Sequence, residues 1–371
     1  MAHFLEHMVF KGGQDHPTYR DVNSAAEVLG ARMNAFTGND VVAFFVVVRA
    51  DRIFEAVDLL TDFVGRPRLD ADELEKERGV VIQEIARAHD QPADLADILI
   101  DRAMFGDHPL GRPVLGTEEH LRAFDRDAVA GFRGRAWAGE RGGVFLVGNP
   151  EALASNGRLD ELFERFPAIA PGEPPEPAPA PSRDVLVEPR ESKQSHLRLG
   201  YRPSIDPLDA AARAALTIYS TILGGSASSR LFDEIREQRG LAYSVRAEDY
   251  PTSDVVVLQL SAGLESSRCV EAHERMREIV GELADEGPTE AEVERARSYA
   301  AGRRVLAFES TIAVARAAVE EGVVFRSTVD PDEMIAALDR VTFDDVCQVA
   351  RAVAGKPAVA CVGPHEVGDF T

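Results

Sequence analysis

The sequence predicts an α+β protein built from two related domains, each with helices packed on one face of a mostly antiparallel sheet. Three observations lead to this prediction. The chain has 371 residues, about the length of two average domains. A proline-rich stretch divides it near the middle, and a strand–turn–strand block occurs once on each side of that stretch.

The proline-rich stretch, residues 167–184, reads PAIAPGEPPEPAPAPSRD and has the periodicity of neither helix nor strand. Proline donates no backbone hydrogen bond and fixes its own φ, so such a stretch forms an extended, semi-rigid linker. The predicted domains are therefore residues 1–166 and residues 185–371.

The strand–turn–strand block of the first half is ARMNAFTGNDVVAFFVVVR, with its turn at residues 38–40. The block of the second half, GLAYSVRAEDYPTSDVVVLQLSAG, turns around residues 251–254. An amphipathic helical segment follows each block, DRIFEAVDLLTDFVG in the first case and RCVEAHERMREIVGEL in the second. This weak internal repeat indicates two domains of one architecture.

Composition narrows the function classes. A net charge of −22 would repel phosphate backbones and disfavours nucleic-acid binding. No apolar run reaches the ~18–20 residues that span a bilayer, and the N-terminus, MAHFLEHMVF, lacks the basic start of a secretory signal. Cys269, Cys347 and Cys361 are too few and too scattered for a disulfide framework or a thiolate zinc site. We therefore expect a cytoplasmic protein with reduced thiols that binds neither nucleic acid nor membrane.

A candidate metal motif, His-Phe-Leu-Glu-His, occupies residues 3–7. In a helix, His3 and His7 lie on one face and can present their imidazoles to one ion. Two imidazoles suit zinc, and the carboxylate of Glu6 beside them can take a proton from the water that zinc holds. This H-x-x-E-H order is the inverted zincin motif. The motif alone leaves open the alternative of two histidines on a solvated helix face.

A catalytic zinc needs a third protein ligand and one open position. The segment LDADELEKERGVVIQEIARAHDQP predicts a helix capped by Asp70. It carries Glu77 and Glu84, which are seven residues apart and thus two turns along nearly the same face. One glutamate can bind the metal while the other supports the site, or both can be solvated helix residues; their spacing leaves this open.

Five ordered segments resemble the pitrilysin/insulinase family of zinc metallopeptidases, and in particular its two-domain bacterial members similar to the mitochondrial processing peptidase β subunit. These segments are AHFLEHMVFKGG, NAFTGND, EKERGVVIQEIARAHDQP, FGDHPLGRPVLGT and SSRLFDEIREQRGLAYSV. The resemblance implies that His3, His7 and Glu84 bind one zinc ion per chain, that Glu6 is the catalytic base, and that Glu77 is an acid supporting the site.

The resemblance also implies functional residues outside the metal set. Arg236 and Tyr243 match a pair that faces the zinc from the second domain, which closes over the substrate. There Arg236 can pair with a substrate carbonyl or carboxylate, and Tyr243 can donate to the developing oxyanion. The family's substrate-side strand, which pairs with an extended peptide, is matched by Asn34, Ala35, Phe36 and Thr37.

These implications predict a zinc-dependent endopeptidase that acts on peptides or unfolded proteins. This chain carries both the metal motif and the Arg236–Tyr243 pair. It needs no second kind of subunit to supply either, so we expect a homodimer. Two alternatives remain open, a catalytically silent scaffold and a peptide-binding subunit of the same family. Relatives normally begin with strands and a glycine-rich loop ahead of the metal helix, so we expect an N-terminally truncated first domain with a partly covered core.

Overall fold

The computed structural model describes residues 1–137, 142–149, 161, 164–166, 176–327 and 329–371. In chain order the helices are α1 (Ala2–Val9), α2 (Tyr19–Leu29), α3 (Ile53–Gly65), α4 (Ala71–Asp90), α5 (Pro92–Phe105), α6 (Glu118–Ala123), α7 (Arg126–Ala136), α8 (Ala210–Ser220), α9 (Cys269–Glu286), α10 (Glu290–Phe308), α11 (Thr311–Val319), α12 (Pro331–Asp339) and α13 (Phe343–Val353). The strands are β1 (Arg32–Thr37), β2 (Val42–Val47), β3 (Val185–Pro189), β4 (Gln194–Tyr201), β5 (Ala242–Pro251), β6 (Val256–Glu265) and β7 (Ala358–Gly363). Short π-helical segments cover Thr221–Gly225, Phe232–Gln238 and Glu320–Val324. Within the described part of the chain, no helix is both long and apolar enough to cross a membrane.

The chain divides into two compact units. The first consists of Met1–Ala86, Val114–Pro175 and Ser310–Val329. The second consists of Arg87–Pro113, Glu176–Glu309 and Asp330–Thr371. The predicted domains run uninterrupted along the chain, whereas each compact unit takes segments from both halves. Residues 167–175 of the predicted linker lie outside the described residues, and residues 176–184 have no regular structure before β3 begins.

The first unit contains the antiparallel hairpin β1–β2, in which Asn34 is paired with Phe45. The hairpin and its turn lie where the sequence predicts them. Helix α1 buries four apolar side chains that recur on one face, Phe4, Leu5, Met8 and Val9. They join a core formed with α2, α3, α4, α6 and α7. Because these positions face inward, the remaining face of α1, which carries the two histidines, stays only half-buried.

The loop that follows α1 is held by a buried carboxylate. Gly12 has φ of 140°, and a Cβ at this position would meet the carbonyl oxygen of Pro17 at 2.4 Å, so the turn requires glycine. Asp62 of α3, 1% exposed, accepts hydrogen bonds from the backbone N–H groups of Gln14, Asp15 and His16. Burial opposes its ionisation, but these donors outweigh burial and lower the pKa of Asp62. The loop that follows α1 is therefore anchored to α3.

The second unit contains a five-stranded sheet in the order β3-β7-β4-β6-β5 among the described residues. Only the β3–β7 pair is parallel, so the sheet is mostly antiparallel, and the α+β prediction is confirmed. Leu197, Leu199 and Val359 pack on one face against a core that includes α8, α9 and α13. On the opposite face, Ala360 packs with Ile100 of α5. The sequence predicts helices on one face of the sheet only, whereas in the second unit α5 packs on the other face as well.

A cavity of about 620 Å³ lies in the first unit. Its lining comes from β2, α3, α7, α11 and residues 142–149, and includes the aromatic side chains of Phe44, Trp137 and Phe145. Phe44 and Trp137 meet edge to face with ring centroids 5.4 Å apart, and Phe44 remains half-buried. Within the described residues, the apolar surface of the hairpin is thus only partly covered.

A half-buried ion pair in the second unit, Arg230–Glu292, makes stability depend on pH. Glu292 accepts hydrogen bonds from Arg230 Nε (2.8 Å) and Nη2 (3.0 Å) and from the backbone N–H of Thr289 (2.7 Å). Burial opposes ionisation of Glu292, yet these donors outweigh it and lower the pKa from 4.5 to about 2. A lowered folded-state pKa contributes stability that is complete above pH 4.5 and is lost as the pH falls toward 2.

We therefore expect Glu292→Gln to lower the free energy of unfolding at pH 7 by about 3 kcal/mol and to flatten the acid side of the stability profile. Urea unfolding between neutral and acid pH measures both effects. Glu294→Gln is the matched control, because Glu294 is 68% exposed on the same helix. Equal stability of the two variants at pH 7 would contradict the assignment.

Candidate metal centre

Helix α1 presents two imidazoles side by side. The ring centroids of His3 and His7 lie 4.8 Å apart with 67° between the ring planes, as their i,i+4 spacing predicts. Their side chains are 14% and 19% exposed, respectively. The apolar face of α1 is fixed in the core, so both rings are held at the surface of the unit with little freedom to turn away.

Helix α4 brings a carboxylate to the two rings. Asp70 caps this helix as predicted, its Oδ1 accepting from the N–H of Asp72 at 2.9 Å. Glu84 Oε2 lies 3.8 Å from His3 Nε2 and 3.5 Å from His7 Nε2. One ligand atom from each of His3, His7 and Glu84 lies within 4.8 Å of the others.

This spacing fits a tetrahedral zinc ion. Zinc–nitrogen and zinc–oxygen bonds of ~2.0–2.2 Å at tetrahedral angles place neighbouring ligand atoms roughly 3.4 Å apart. The Glu84–His7 distance of 3.5 Å is close to that value, and the Glu84–His3 distance of 3.8 Å exceeds it by a few tenths of an ångström. Three protein ligands also leave the fourth position open, as catalytic zinc requires.

Glu77 fixes the tautomer of His7. Its Oε2 lies 3.1 Å from His7 Nδ1. An ionised carboxylate only accepts hydrogen bonds, so Nδ1 carries the proton and Nε2, on the side of Glu84, carries the lone pair. Lys11 Nζ contacts the other carboxylate oxygen at 2.5 Å. Burial opposes ionisation of Glu77, but His7 and Lys11 outweigh it and lower the pKa of Glu77.

The two imidazoles differ in basicity. Burial, together with the positive charges of His7 and the N-terminus, lowers the pKa of His3 to about 4, so its ring is neutral at pH 7. The hydrogen bond to Glu77 raises the pKa of His7, and the nearby Glu84 adds to this effect. Only the neutral form of His7, with the lone pair on Nε2, can bind a metal ion, so the raised pKa of His7 makes metal binding weaken as the pH falls.

Glu6 lies on α1 between the two histidines, where the motif predicts the base. Its Oε2 accepts a hydrogen bond of 2.5 Å from Thr37 Oγ1 at the end of β1. Thr37 was predicted to contact substrate, and within the described residues it contacts the carboxylate of Glu6. Because a hydroxyl has only one hydrogen to donate, Thr37 occupies one oxygen of the Glu6 carboxylate and leaves the other available.

Of the other predicted residues, Asn34, Arg236 and Tyr243 are exposed, and Ala35 and Phe36 are half-buried. Asn34, Ala35 and Phe36 belong to β1, which within the described residues is paired on one side only, by β2. Arg236 and Tyr243 belong to the second unit, where Arg236 lies over the Phe232 ring at 4.7 Å and is 46% exposed. Tyr243 is 54% exposed and its ring covers Gly263. Both side chains are therefore accessible to a ligand.

Sequence reasoning missed Lys11. The available signal was its position four residues after His7, which places it next to His7 on the continuation of the same helix face. Its ammonium group keeps Glu77 ionised, and an ionised Glu77 is what holds the proton on His7 Nδ1.

Replacing Glu77 by glutamine is expected to weaken zinc binding about 10–100-fold, since a neutral amide polarises His7 less than a carboxylate does and loses the ion pair with Lys11. Competition with a zinc-chelating dye measures the affinity. Glu73→Gln is the control, because Glu73 lies on the same helix and contacts Lys76 instead. An unchanged zinc affinity in Glu77→Gln would contradict the positioning role.

Comparison with known proteins places the chain in a family. The family described as Insulinase (Peptidase family M16) matches residues 1–118, and the one described as Peptidase M16 inactive domain matches residues 123–299. The chain is 32% identical to an uncharacterized zinc protease of Streptomyces coelicolor, over 98% of this chain and 80% of the relative. It is 29% identical to one of Bacillus subtilis, over 98% and 88%.

Solved structures share the fold. A crystal structure described as the peptidase M16 inactive domain from Pseudomonas fluorescens superposes with a TM-score of 0.86 at 19% identity, over 98% of this chain and 88% of that one. A protease from Helicobacter pylori superposes with a TM-score of 0.83 at 17% identity, over the same shares. The family descriptions match both halves of the chain, and the Streptomyces relative is 32% identical over 98% of this chain. The chain therefore belongs to the insulinase family of peptidases, peptidase family M16, as its motifs predict.

Proposed function

We propose that this chain is a zinc-dependent endopeptidase. The observation that supports this most is the convergence of His3, His7 and Glu84 around one point, with Glu6 on the same helix. The relatives named as zinc proteases agree with this at the level of the family. His3, His7 and Glu84 would hold the metal, and Glu77 would orient His7.

In this proposal a zinc ion held by His3, His7 and Glu84 would supply Lewis acidity, which would polarise the scissile carbonyl and lower the pKa of the attacking water to ~7. Glu6 accepts the proton of that water as the water attacks the carbonyl carbon, and it delivers the proton to the nitrogen of the leaving amine. Thr37 holds the carboxylate of Glu6 through its hydroxyl. The amide C–N bond breaks as the nitrogen is protonated, which releases a carboxylate and an amine.

The substrate is proposed to be an extended peptide or a segment of an unfolded protein. The open edge of β1, residues Asn34 to Thr37, offers backbone groups for strand pairing, which recognises main chain and tolerates many side chains. Arg236 is proposed to pair with a carbonyl or carboxylate of the peptide, and Tyr243 to donate to the developing oxyanion.

Tyr243→Phe is expected to lower kcat about 10²–10³-fold with little change in KM, because the lost donor acts in the transition state. Steady-state hydrolysis of a fluorogenic peptide measures both constants. Tyr250→Phe is the control, since Tyr250 is 44% exposed on the same strand. A variant that changes KM alone would show that Tyr243 only binds substrate.

A catalytically silent scaffold is the second candidate, and the description of the matched second half as an inactive domain favours it. That match covers residues 123–299, however, whereas His3, His7 and Glu84 lie in the part matched by the insulinase description. A peptide-binding subunit of the same family, the other alternative, would have the same arrangement of His3, His7 and Glu84. It would differ from the peptidase only in binding peptides without hydrolysing them.

Hydrolysis of a quenched fluorescent peptide, with and without a zinc chelator, tests the proposal. Cleavage that stops with chelator and returns with added zinc supports the peptidase. Zinc binding with no cleavage of any peptide in a mixed-sequence library would favour the scaffold. We also propose that the protein is cytoplasmic and forms a homodimer. Sedimentation equilibrium of the purified chain would test the homodimer.

A further inference from the structure

A second cluster of metal-binding side chains lies in the second unit. Cys269 begins α9, Cys361 lies in the middle of β7, and His365 follows that strand by two residues. The two sulfur atoms are 3.9 Å apart, and one ligand atom from each of the three residues lies within 4.8 Å of the others. The sequence interpretation treated the cysteines as too scattered for a thiolate site, whereas the structure brings Cys269 and Cys361 together across 92 residues of sequence.

The cluster is deeply buried and closely fitted. Both cysteines are fully buried, and His365 is 9% exposed. Strand β7 ends in Gly363, where a Cβ would meet Ser195 Oγ at 2.3 Å. The absence of a side chain at Gly363 thus lets Ser195 reach the imidazole of His365, and the two form a hydrogen bond of 2.8 Å.

A chain of hydroxyl groups determines which nitrogen of His365 carries the proton. Ser266 donates its only hydroxyl hydrogen to the carbonyl of Ser192, and Ser195 donates its own to Ser266 Oγ. Ser195 Oγ must therefore accept from His365, so Nε2 is protonated. In the neutral ring, Nδ1 then carries the lone pair, as in a metal-binding histidine whose other nitrogen is hydrogen-bonded.

The spacing of the two sulfurs suits a shared metal ion. Zinc–sulfur bonds of ~2.3 Å at the tetrahedral angle place two thiolates roughly 3.8 Å apart, whereas a disulfide requires ~2.0 Å. Two thiolates and a neutral imidazole around a dication have no net charge, which limits the cost of burial.

We propose that Cys269, Cys361 and His365 form a second metal site, which takes a thiophilic dication such as Zn²⁺ and ties β7 to the start of α9. The carboxylate of Asp369, 3.7 Å from His365 Nδ1, is the candidate fourth donor; it would make the complete site singly negative, and because Asp369 is 43% exposed, water can stabilise that charge. The role is structural, because the site lies within the core of the second unit. It does not depend on the proposed peptidase activity.

Cobalt substitution separates this site from the one on α1. Thiolate ligands give cobalt(II) an intense charge-transfer absorption in the near ultraviolet, and His3, His7 and Glu84 contribute no sulfur. We expect the full chain, loaded with cobalt(II) under a non-thiol reductant, to show this absorption and to bind two equivalents of metal. The absorption should persist in the double variant His3→Ala/His7→Ala. It should also persist in Cys347→Ala, because Cys347 lies outside the cluster.

Cys269→Ala and Cys361→Ala are expected to lose the absorption and one equivalent of metal. If either variant fails to fold, thiol titration of the wild-type chain tests the same proposal. Burial alone slows the reaction of Cys269 and Cys361, so their reaction rate is compared in the zinc-loaded and the chelator-treated chain, and the chelator should raise it. Absence of the absorption in folded wild-type chain, with a thiol reactivity that the chelator leaves unchanged, would overturn the proposal. Only one titratable thiol in the denatured, unreduced chain would also overturn it, because it would reveal a disulfide.

Discussion

Glu6→Gln is expected to abolish peptide hydrolysis while leaving the metal content of the chain unchanged. The amide keeps the size of the carboxylate and can still accept from Thr37, but it cannot take a proton from water. General-base catalysis contributes about 10²–10⁴-fold to rate, so the loss in kcat should fall in that range or beyond it. Initial-rate kinetics and elemental analysis of the dialysed protein measure the two quantities.

The control for this variant is Glu27→Gln, which neutralises an exposed glutamate on α2 and should leave kcat unchanged. If Glu6→Gln retained wild-type turnover, another group would have to be the base. If it lost turnover together with one equivalent of metal, Glu6 would be acting as a ligand, and the assignment of Glu84 would need revision.

His7→Ala is expected to have the second-largest effect, namely the loss of one equivalent of zinc together with all peptide hydrolysis. It removes a ligand and also leaves Glu77 without the imidazole that it orients. The affinity loss should exceed the roughly 10–100-fold that removal of a supporting residue costs. Zinc titration by calorimetry measures it directly.

His120→Ala is the matched control, because His120 is an exposed histidine on α6. Glu84→Gln should reproduce the zinc loss of His7→Ala if the carboxylate is the third ligand. Retention of full zinc affinity in both His7→Ala and Glu84→Gln would show that the cluster on α1 and α4 does not hold the metal.

The elements that the sequence predicts correctly depend on local patterns. Helix α1 follows from its apolar face, and the β1–β2 hairpin follows from strand-like runs around a glycine-containing turn. The side-by-side histidines follow from the 3.6-residue period of the helix alone. In each case the interacting residues are near neighbours in the chain, so propensity and periodicity suffice.

Spacing alone could not assign different roles to Glu77 and Glu84, because residues seven apart share a helix face. The family resemblance assigned Glu84 to the metal set. The packing of α4 against α1 then places Glu84 beside the Nε2 atoms and Glu77 against His7 Nδ1. The contact of Lys11 with Glu77 likewise depends on how two helices meet.

By itself, the sequence determined the α+β class, the family and the metal motif, since these rest on contiguous segments. Only the tertiary structure revealed that α5 covers the second face of the sheet in the second unit. It alone brought Cys269 and Cys361, 92 residues apart, into contact. The physical reason is that β7, near the end of the chain, inserts between β3 and β4, and no local pattern encodes the neighbours that a strand acquires across a sheet.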